Sequence, residues 1–183
     1  MSSEREPPPA LRTLPTARLS ESDRATLWSL CREAWPEFSD VEWDHMVPGL
    51  HFVLDDDGAI VSHAALVERE LHVGDRPIRT GFAENVVTRA DRRGRGLGTA
   101  VMRAVGEHIT GRYALGALDT GVPGFYERLG WVRWRGPTFV RTAAGPRATP
   151  EEDDAVMILR TPTTPDFALD EPISCEWRPG EVW

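Results

Sequence analysis

The sequence predicts an α+β domain of the three-layer α/β type, in which helices flank a central sheet. Its first half carries closely spaced strand-like segments separated by turn signals, which is typical of antiparallel strands. A glycine-rich loop, a helical segment, another strand-like segment and a short helix follow in that order. The 183 residues fit one domain with modest extensions, and we expect this domain to span residues 17–183.

The N-terminal part divides into a lead-in and a helix. Residues 1–16 are rich in proline and polar residues, and we expect them to form a flexible lead-in. A helix is expected from Ser20 or Ser22, because either hydroxyl can cap it and the apolar residues that follow have helical spacing. These apolar residues are Leu27, Leu30, Cys31 and Trp35. Two prolines interrupt residues 36–50, where no regular element is expected.

Three strands are expected next, at Phe52–Leu54, Ile60–Val67 and Ile78–Thr88. The first two are separated by the sequence Asp-Asp-Asp-Gly at residues 55–58, which we interpret as a plain hairpin turn. A Gly-Asp pair at residues 74–75 marks the second turn. The three segments together indicate an antiparallel meander.

A second helix is the clearest element of the chain. Apolar residues repeat every fourth position between Leu97 and Ile109, and Gly111 follows just beyond its end. The further expected elements are a strand at Tyr113–Leu118, a short helix at Val122–Leu129, and strands at Trp131–Trp134 and Val156–Leu159. Prolines interrupt the segment from Thr161 onward, for which no element is expected.

The composition and the net charge disfavour several classes of function. The formal net charge of −8 disfavours a nucleic-acid partner held by phosphate contacts and favours a cationic substrate. All 21 basic residues are arginine. The absence of lysine excludes a Walker A phosphate-binding loop, which needs a lysine, and catalysis through a lysine Schiff base. Two cysteines and five histidines without metal-binding spacing predict no disulfide framework and no metal. The chain lacks an apolar span and a signal-peptide pattern, so we expect a cytoplasmic protein without a membrane partner.

A glycine-rich loop, Arg93-Gly94-Arg95-Gly96-Leu97-Gly98, lies between the last of the three strands and the second helix. Glycines let the backbone approach an anion closely, and the first amides of a helix have no intrahelical acceptors, so the loop is a candidate anion site. It does not match a dinucleotide fingerprint, in which the glycines follow the first strand of a βαβ unit. The alternative is a solvated basic loop that only caps the helix.

A second element, Gly124-Phe125-Tyr126-Glu127-Arg128-Leu129-Gly130-Trp131, follows this loop at a suitable distance. Together the two resemble the GNAT superfamily of acetyl-CoA-dependent N-acetyltransferases. The resemblance implies a mixed, mostly antiparallel sheet flanked by helices, with acetyl-CoA as co-substrate. It also implies that the glycine-rich loop holds the CoA pyrophosphate and that Tyr126 lies near the CoA sulfur. The residues it assigns to CoA are Val86, Val87, Thr88, Arg93, Gly94, Arg95, Gly96, Leu97 and Gly98.

The C-terminal sequence, residues 174–183, resembles that of the aminoglycoside 2′-N-acetyltransferases, a family within this superfamily. Residues 42–45, 81–87, 115–118, 134–138 and 149–154 agree with the same family. The resemblance implies that acidic residues and the carboxylate of the terminal tryptophan contact the cationic antibiotic. It assigns to acceptor binding Glu37, Glu84, Asn85, Asp119, Glu152, Asp153, Glu181 and Trp183. Asp119 departs from the family pattern, which has a small hydroxyl residue there.

Acetyl transfer to an amine requires a proton acceptor for the ammonium, a hydrogen-bond donor for the thioester carbonyl and a proton donor for the leaving thiolate. The resemblance implies that Glu84, the N–H of Val86 and Tyr126 supply these three functions. Glu84 either takes the proton, directly or through water, or only holds the ammonium. The structural alternatives are a strand glutamate paired with an arginine for Glu84 and a packing aromatic for Tyr126.

The predicted function is therefore acetyl-CoA-dependent acetylation of an amine of an aminoglycoside, which confers resistance. The resemblance alone implies that this amine is the 2′-amine. Within enzymes, the alternative acceptors are a polyamine, another small amine or a protein N-terminus. In another class, the chain is a non-catalytic acetyl-CoA-binding module. A cysteine–histidine nucleophile pair has no support from the residues around Cys31 or Cys175. The oligomeric state is open, and a homodimer is one of the alternatives.

Overall fold

The computed structural model describes residues 8–183. The strands are β1 (Ala10–Pro15), β2 (Leu50–Asp56), β3 (Ala59–Val73), β4 (Arg76–Thr88), β5 (Leu115–Asp119), β6 (Val132–Arg133), β7 (Thr138–Thr142), β8 (Gly145–Ala148), β9 (Val156–Arg160) and β10 (Ile173–Glu176). The α-helices are α1 (Glu21–Ala34), α2 (Asp40–His45), α3 (Leu97–Arg112) and α4 (Pro123–Glu127). Short 3₁₀ helices lie at Thr16–Arg18, Ala90–Arg92 and Pro150–Glu152. None of the helices in this described range is long and apolar enough to cross a membrane.

The chain packs as two compact units. The first comprises the described residues up to Leu66 together with Glu84–Ala104. In it β1 pairs antiparallel with β2, and β2 pairs antiparallel with β3. The apolar face of α1 and the inner faces of these strands form one buried core, which includes Leu27, Leu30, Cys31, Val53, Ile60 and Val87. This core confirms the helical stripe that the sequence predicted for α1.

Both α1 and α2 begin at a serine capping box. The N–H of Asp23 donates to Oγ of Ser20 at 3.0 Å, and the N–H of Ser20 donates back to the Asp23 carboxylate at 3.1 Å. Therefore α1 starts where the sequence predicts. The same arrangement at Ser39 and Glu42 starts α2, for which no element was expected. Six residues of helix fit between the two prolines, so these prolines bound a helix instead of preventing one.

The prediction of a flexible lead-in over residues 1–16 is wrong for Ala10–Pro15. These residues form β1, which pairs with β2 from Ala10↔Asp55 to Pro15↔Leu50. Arg12 reinforces the strand by donating to Asp55 at 2.6 Å and to Asp23 at 3.0 Å. The strand depends on partners distant in sequence, which local composition does not reveal. Residues 1–7 lie outside the described part of the chain, and the expectation of one domain over residues 17–183 stays a prediction.

The second unit comprises Val67–Ala83 and Val105–Trp183. Its strands, together with the parts of β3 and β4 that belong to it, follow the order β6–β9–β5–β4–β3–β10–β7–β8. The β4–β5 and β10–β7 pairs are parallel, whereas β3–β10, β5–β9, β6–β9 and β7–β8 are antiparallel. The sheet is thus mixed and mostly antiparallel, as predicted. Its core includes Leu71, Phe82, Leu115, Trp134, Val140, Ile158 and Trp183.

The carboxyl end of β5 extends beyond its pairing with β4. The parallel register ends at Phe82↔Ala117, whereas the antiparallel register with β9 continues to Asp119↔Val156. Asp119 is therefore the last residue of a strand that has lost its neighbour on one side. The helix predicted after it is shorter than expected, because α4 contains only five residues.

Candidate functional site

The glycine-rich loop connects the 3₁₀ helix Ala90–Arg92 to α3. Gly94 and Gly96 have φ angles of +77° and +79°, and a Cβ added at either would meet no atom within 4 Å. Backbone conformation, not crowding, therefore requires glycine at both positions. The loop leads into the 16-residue α3, whose first amides have no intrahelical acceptors and favour an anion. This geometry fits a pyrophosphate group.

A buried carboxylate anchors this loop. Asp56, at the end of β2, has a side chain that is 4% exposed and accepts hydrogen bonds from Arg92 and Arg95, each at 2.9 Å. Arg93 donates to the carbonyl of Thr88 at 3.1 Å. The hairpin turn predicted at residues 55–58 is confirmed. The second role of Asp56 was not predictable from local sequence, because its arginine partners lie 36 and 39 positions away.

The candidate residues of β4 surround a backbone irregularity. Asn85 has a φ of +48°, in the left-handed region, although it lies inside a strand. A left-handed residue within a strand is a mark of a β-bulge. Burial changes across it, because residues 80–84 are all buried before it, whereas of residues 86–88 only Val87 is buried. A bulge withdraws backbone groups from regular pairing, and the N–H of Val86 directly follows this one.

Polar contacts hold the strand on both sides of this irregularity. The amide of Asn85 donates to the carbonyl of Glu42 at 3.4 Å, which links β4 to α2. Ser62 donates to the carbonyl of Val87 at 3.0 Å, and its Oγ lies 2.7 Å from Oγ1 of Thr88. The segment that contains the predicted catalytic and CoA-binding residues of β4 is therefore fixed by its own unit.

A buried histidine pair lies in the same unit and was not among the candidates. Nδ1 of His51 is 3.0 Å from Nε2 of His63, and Nε2 of His51 is 2.9 Å from Oγ1 of Thr16. Burial lowers the pKa of His51 to about 4 and that of His63 to about 3. The backbone of Asn85 partly opposes the shift at His63. Both rings are therefore neutral at neutral pH, beside the irregular part of β4.

Three carboxylates of the second unit influence one another. Asp119 ends β5, Glu152 ends the 3₁₀ helix before β9, and Glu181 lies near the C-terminus. Burial raises the pKa of Asp119, and the charge of Glu181 raises it further. Burial, followed by the charges of Asp119, Glu151 and Glu181, raises the pKa of Glu152 to about 7. Oδ1 of Asp119 is buried without a hydrogen-bond partner in residues 8–183. A cation would relieve this repulsion.

Tyr126 is buried, and the charge of Asp119 acts on it. Its ring meets Phe125 and Trp131 edge-on, with centroid distances of 4.9 and 6.2 Å. Burial raises the pKa of Tyr126 to about 12, a hydrogen bond with Thr120 lowers it, and Asp119 raises it. The phenol is thus protonated at neutral pH and available as a proton donor.

Two further predicted acceptor residues make structural contacts. Oδ1 of Asp153 accepts hydrogen bonds from the N–H and Oγ1 of Thr138, at 2.8 and 2.9 Å. Trp183 is 3% exposed, and its indole N–H donates to Oγ1 of Thr149 at 3.0 Å. The indole therefore packs in the core, and the acceptor-binding function of both residues stays a prediction.

Two arginines hold the main chain of the C-terminal segment, defined as Glu181, Val182 and Trp183. Arg69 donates to the carbonyl of Val182 at 2.8 Å. Arg178 donates to the carbonyl of Glu181 at 2.8 Å and to the main-chain oxygen of Trp183 at 2.9 Å. Neither arginine was among the predicted site residues. Arg69 lies 113 positions before Val182, so no local signal could have found it.

The predicted residues fall into two sets. The first unit contains Glu37, Glu84, Asn85, Val86, Val87, Thr88, Arg93, Gly94, Arg95, Gly96, Leu97 and Gly98. The second contains Asp119, Tyr126, Glu152, Asp153, Glu181 and Trp183. Glu37 is exposed in the turn between α1 and α2. Within residues 8–183, no group of three His, Cys, Asp or Glu side chains could hold a metal ion.

The chain is similar in sequence and in structure to known acetyltransferases. A model of the acetyltransferase (GNAT) domain matches residues 18–133. An aminoglycoside 2′-N-acetyltransferase of Mycolicibacterium fortuitum is 39% identical over 177 residues, which cover 94% of this chain and 91% of that protein. An acyl-CoA N-acyltransferase of Pseudomonas aeruginosa has a similar structure, with a TM-score of 0.61, 17% identity, and coverage of 83% of this chain and 99% of the other. A GCN5-related N-acetyltransferase of Kribbella flavida matches with a TM-score of 0.57 and 18% identity over 70% of this chain, which spans 34% of that longer protein.

Proposed function

Because the chain is an acetyltransferase of the GNAT superfamily and belongs to the family of the aminoglycoside 2′-N-acetyltransferases, we propose that it transfers the acetyl group of acetyl-CoA to the 2′-amine of an aminoglycoside. Acetylation turns an amine that carries a positive charge into a neutral amide, and this loss of charge is the proposed basis of resistance. The observation that carries the proposal is the cluster of Asp119, Glu152 and Glu181, whose mutual repulsion suits a polycationic acceptor.

The first unit supports acetyl-CoA as the donor, which supplies the acetyl group as a thioester. The left-handed Gly94 and Gly96 and the start of α3 form a loop that fits a pyrophosphate. Arg92 and Arg95 are already paired with Asp56. We therefore assign phosphate binding mainly to backbone amides, and the paired arginines hold the loop in shape.

Residues of β4 are proposed to act on the amine and on the carbonyl. Glu84 is 9% exposed, so its carboxylate is largely shielded from water and can pair closely with an ammonium. Glu84 then takes the ammonium proton, directly or through water, or holds the ammonium while water takes the proton. The N–H of Val86 donates to the thioester oxygen, on which negative charge develops. The amine nitrogen bonds to the carbonyl carbon, and the C–S bond breaks with its electron pair on sulfur.

Tyr126 is proposed to donate a proton to this sulfur. With a pKa of about 12, full transfer to a thiolate whose conjugate acid has a pKa near 8.5 is about 5 kcal/mol uphill. The phenol therefore contributes chiefly as a hydrogen-bond donor while charge develops on the sulfur. Thr120, which bonds the phenol, helps to orient it.

The acceptor end is proposed to be the acidic cluster. Each exposed ion pair contributes only about 0–1 kcal/mol, so no single acid accounts for tight binding. Glu152 and Asp119 are partly buried, where charges are screened less, and both are destabilised by their neighbours. An acceptor with several ammonium groups would relieve the repulsion among the three acids. Polyamines share this property, so the test must separate them from aminoglycosides.

The test is release of free CoA thiol from acetyl-CoA with a panel of acceptors. The panel contains matched 2′-amino and 2′-hydroxy aminoglycosides, a linear polyamine and a short peptide with a free N-terminus. Turnover of the 2′-amino compound alone, with the acetyl group located on the 2′ nitrogen by NMR, supports the proposal. Turnover of only the polyamine or the peptide overturns the acceptor class. Binding of CoA without turnover of any acceptor would indicate a non-catalytic module.

A further inference from the structure

Arg69 is a buried cation whose hydrogen bonds lead to the C-terminal part of the chain. Its side chain, on β3, is 3% exposed. Nε donates to the carboxylate of Glu176 at 2.9 Å, and Nη2 donates to the carbonyls of Glu176 and Val182 at 3.2 and 2.8 Å. The guanidinium lies 4.7 Å from the centroid of the Phe82 ring. One planar group thus joins the sheet to two points of the C-terminal chain.

Stability alone does not account for an arginine at this position. Burial removes the guanidinium from water, which is costly, whereas the side chain of Glu176 that faces it is 45% exposed, so the ion pair contributes little in return. Nη1 of Arg69 is buried and has no hydrogen-bond partner in residues 8–183, which adds to the cost. A well-packed apolar side chain would avoid both the cost of burying the charge and the cost of the unpaired Nη1. The benefit of the arginine must therefore come from what it holds.

We propose that Arg69 is a positioning residue of the acceptor site, an inference that rests on the proposed function. By holding the carbonyl of Val182 it sets the position of Glu181, the adjacent residue, whose charge influences Asp119 and Glu152. Arginine suits this task because its fork can bond a carboxylate and a carbonyl together, whereas the single ammonium of lysine is a point charge.

The carbonyl of Val182 also contacts a cysteine, and the reactivity of this cysteine provides an independent measure of whether the C-terminal segment is held in place. Sγ of Cys175 donates to the carbonyl of Val182 at 3.3 Å, so the C-terminal segment covers this thiol. Cys175 and Cys31 are both free and 0% exposed, and Cys31 lies in the first unit. Burial raises the pKa of Cys175 to about 11 and that of Cys31 to about 12. Alkylation of either thiol therefore requires local opening.

The first arm of the test measures alkylation of both cysteines by iodoacetamide, followed by peptide mass spectrometry. In Arg69→Met we expect Cys175 to react roughly tenfold faster or more, while the rate at Cys31 stays that of the wild type. Loss of the nearby cation would by itself raise the pKa of Cys175 and slow its alkylation, so an acceleration reports opening. If Arg69→Met does not fold, Arg69→Lys, which keeps the charge but loses the fork, is tested in the same way.

Arg160→Met is the matched control. Arg160 belongs to the same unit, lies 4.2 Å from the centroid of the Phe167 ring and donates to the carbonyl of Phe167 at 2.7 Å. It therefore shares the stacking and the carbonyl contact of Arg69, but its carbonyl partner, Phe167, lies outside the C-terminal segment. Unchanged alkylation of Cys175 in the folded Arg69 variant, or an equal acceleration in Arg160→Met, overturns the positioning role.

The second arm measures steady-state kinetics with an acceptor that the wild type acetylates. Misplacement of a site by about 1 Å can cost up to roughly 100-fold, so we expect the acceptor KM to rise tenfold or more in Arg69→Met. The KM for acetyl-CoA should not change. Faster alkylation with an unchanged acceptor KM would remove the C-terminal segment from the acceptor site and overturn the proposal. If the wild type acetylates no acceptor, the proposed function fails, and the alkylation arm still decides whether Arg69 holds the segment.

Discussion

The buried histidine pair should make the protein sensitive to acid above the range in which carboxylates titrate. His51 and His63 have pKa values of about 4 and 3 in the folded chain, against about 6.5 for an unfolded histidine. Below pH 6.5 the unfolded chain binds protons that the folded chain does not bind. The contribution of the pair to stability is therefore complete above about pH 6.5 and is lost progressively as the pH falls towards 3.

The size of the effect at pH 5 depends mainly on the unfolded state. At that pH an unfolded histidine is about 97% protonated, whereas both folded rings remain largely neutral. The free energy of unfolding then falls by about 2 kcal/mol for each histidine relative to pH 8, or about 4 kcal/mol for the pair. This loss is a large part of the free energy of unfolding of a typical globular domain, which is roughly 5–15 kcal/mol.

Urea unfolding, followed by tryptophan fluorescence between pH 5 and 8, measures this dependence. The variant His63→Phe keeps a ring but removes one titrating group, so its loss of stability between pH 8 and 5 should be about 2 kcal/mol smaller than that of the wild type. Val53→Ala is the control, because Val53 faces His63 on β2 and its truncation should lower stability equally at every pH. Carboxylates such as Glu152 titrate in all three proteins and cancel in the comparison. The same pH dependence in His63→Phe and the wild type would refute the reasoning.

Three further predictions concern the donor loop, the proton donor and the acids. Gly96→Ala forces a left-handed alanine into the loop and should weaken CoA binding, measured by calorimetry, about 5- to 30-fold. Gly58→Ala introduces similar strain at φ +74° in a hairpin turn and should leave CoA binding unchanged. Equal weakening in both variants would argue against CoA binding by the loop. Tyr126→Phe should lower turnover about 10²–10⁴-fold with CoA binding retained, and wild-type turnover would make Tyr126 a packing residue. Because the pKa of Glu152 is about 7, the acceptor KM should fall between pH 6 and 8 as this carboxylate ionises. If Glu152→Gln shows the same pH dependence of the acceptor KM as the wild type, Glu152 is excluded as the cause.

The elements with strong local patterns were predictable from the sequence. α1 and α3 carry apolar residues at helical spacing, and β2, β3 and β4 are separated by clear turn signals. By contrast, β8 is formed by Gly-Pro-Arg-Ala, which has little intrinsic preference for a strand. It is a strand because β7 pairs with it. β1 and β10 likewise depend on partners far away in sequence.

The same distinction holds for the site. The glycine loop and Tyr126 were predictable because contiguous motifs mark them. Asp56, His63 and Arg69 were not, because each has its function through a partner at least 12 positions away. Their residue types are common, and only the fold turns them into a loop anchor, a neutral buried ring and a positioning cation. Long-range pairing of ordinary residues therefore escapes motif-based reasoning.

The left-handed Asn85 has a consequence for how this protein could be improved. A regular strand would place the amides of β4 in an unbroken ladder and relieve the strained conformation, so it would be the more stable version of this segment. On the proposed assignment, however, that regular strand would sequester the N–H of Val86 that must meet the substrate. Selection for thermal stability and selection for turnover would therefore act in opposite directions on a single backbone torsion. Stabilising substitutions should be sought elsewhere in the chain, with this irregularity left intact.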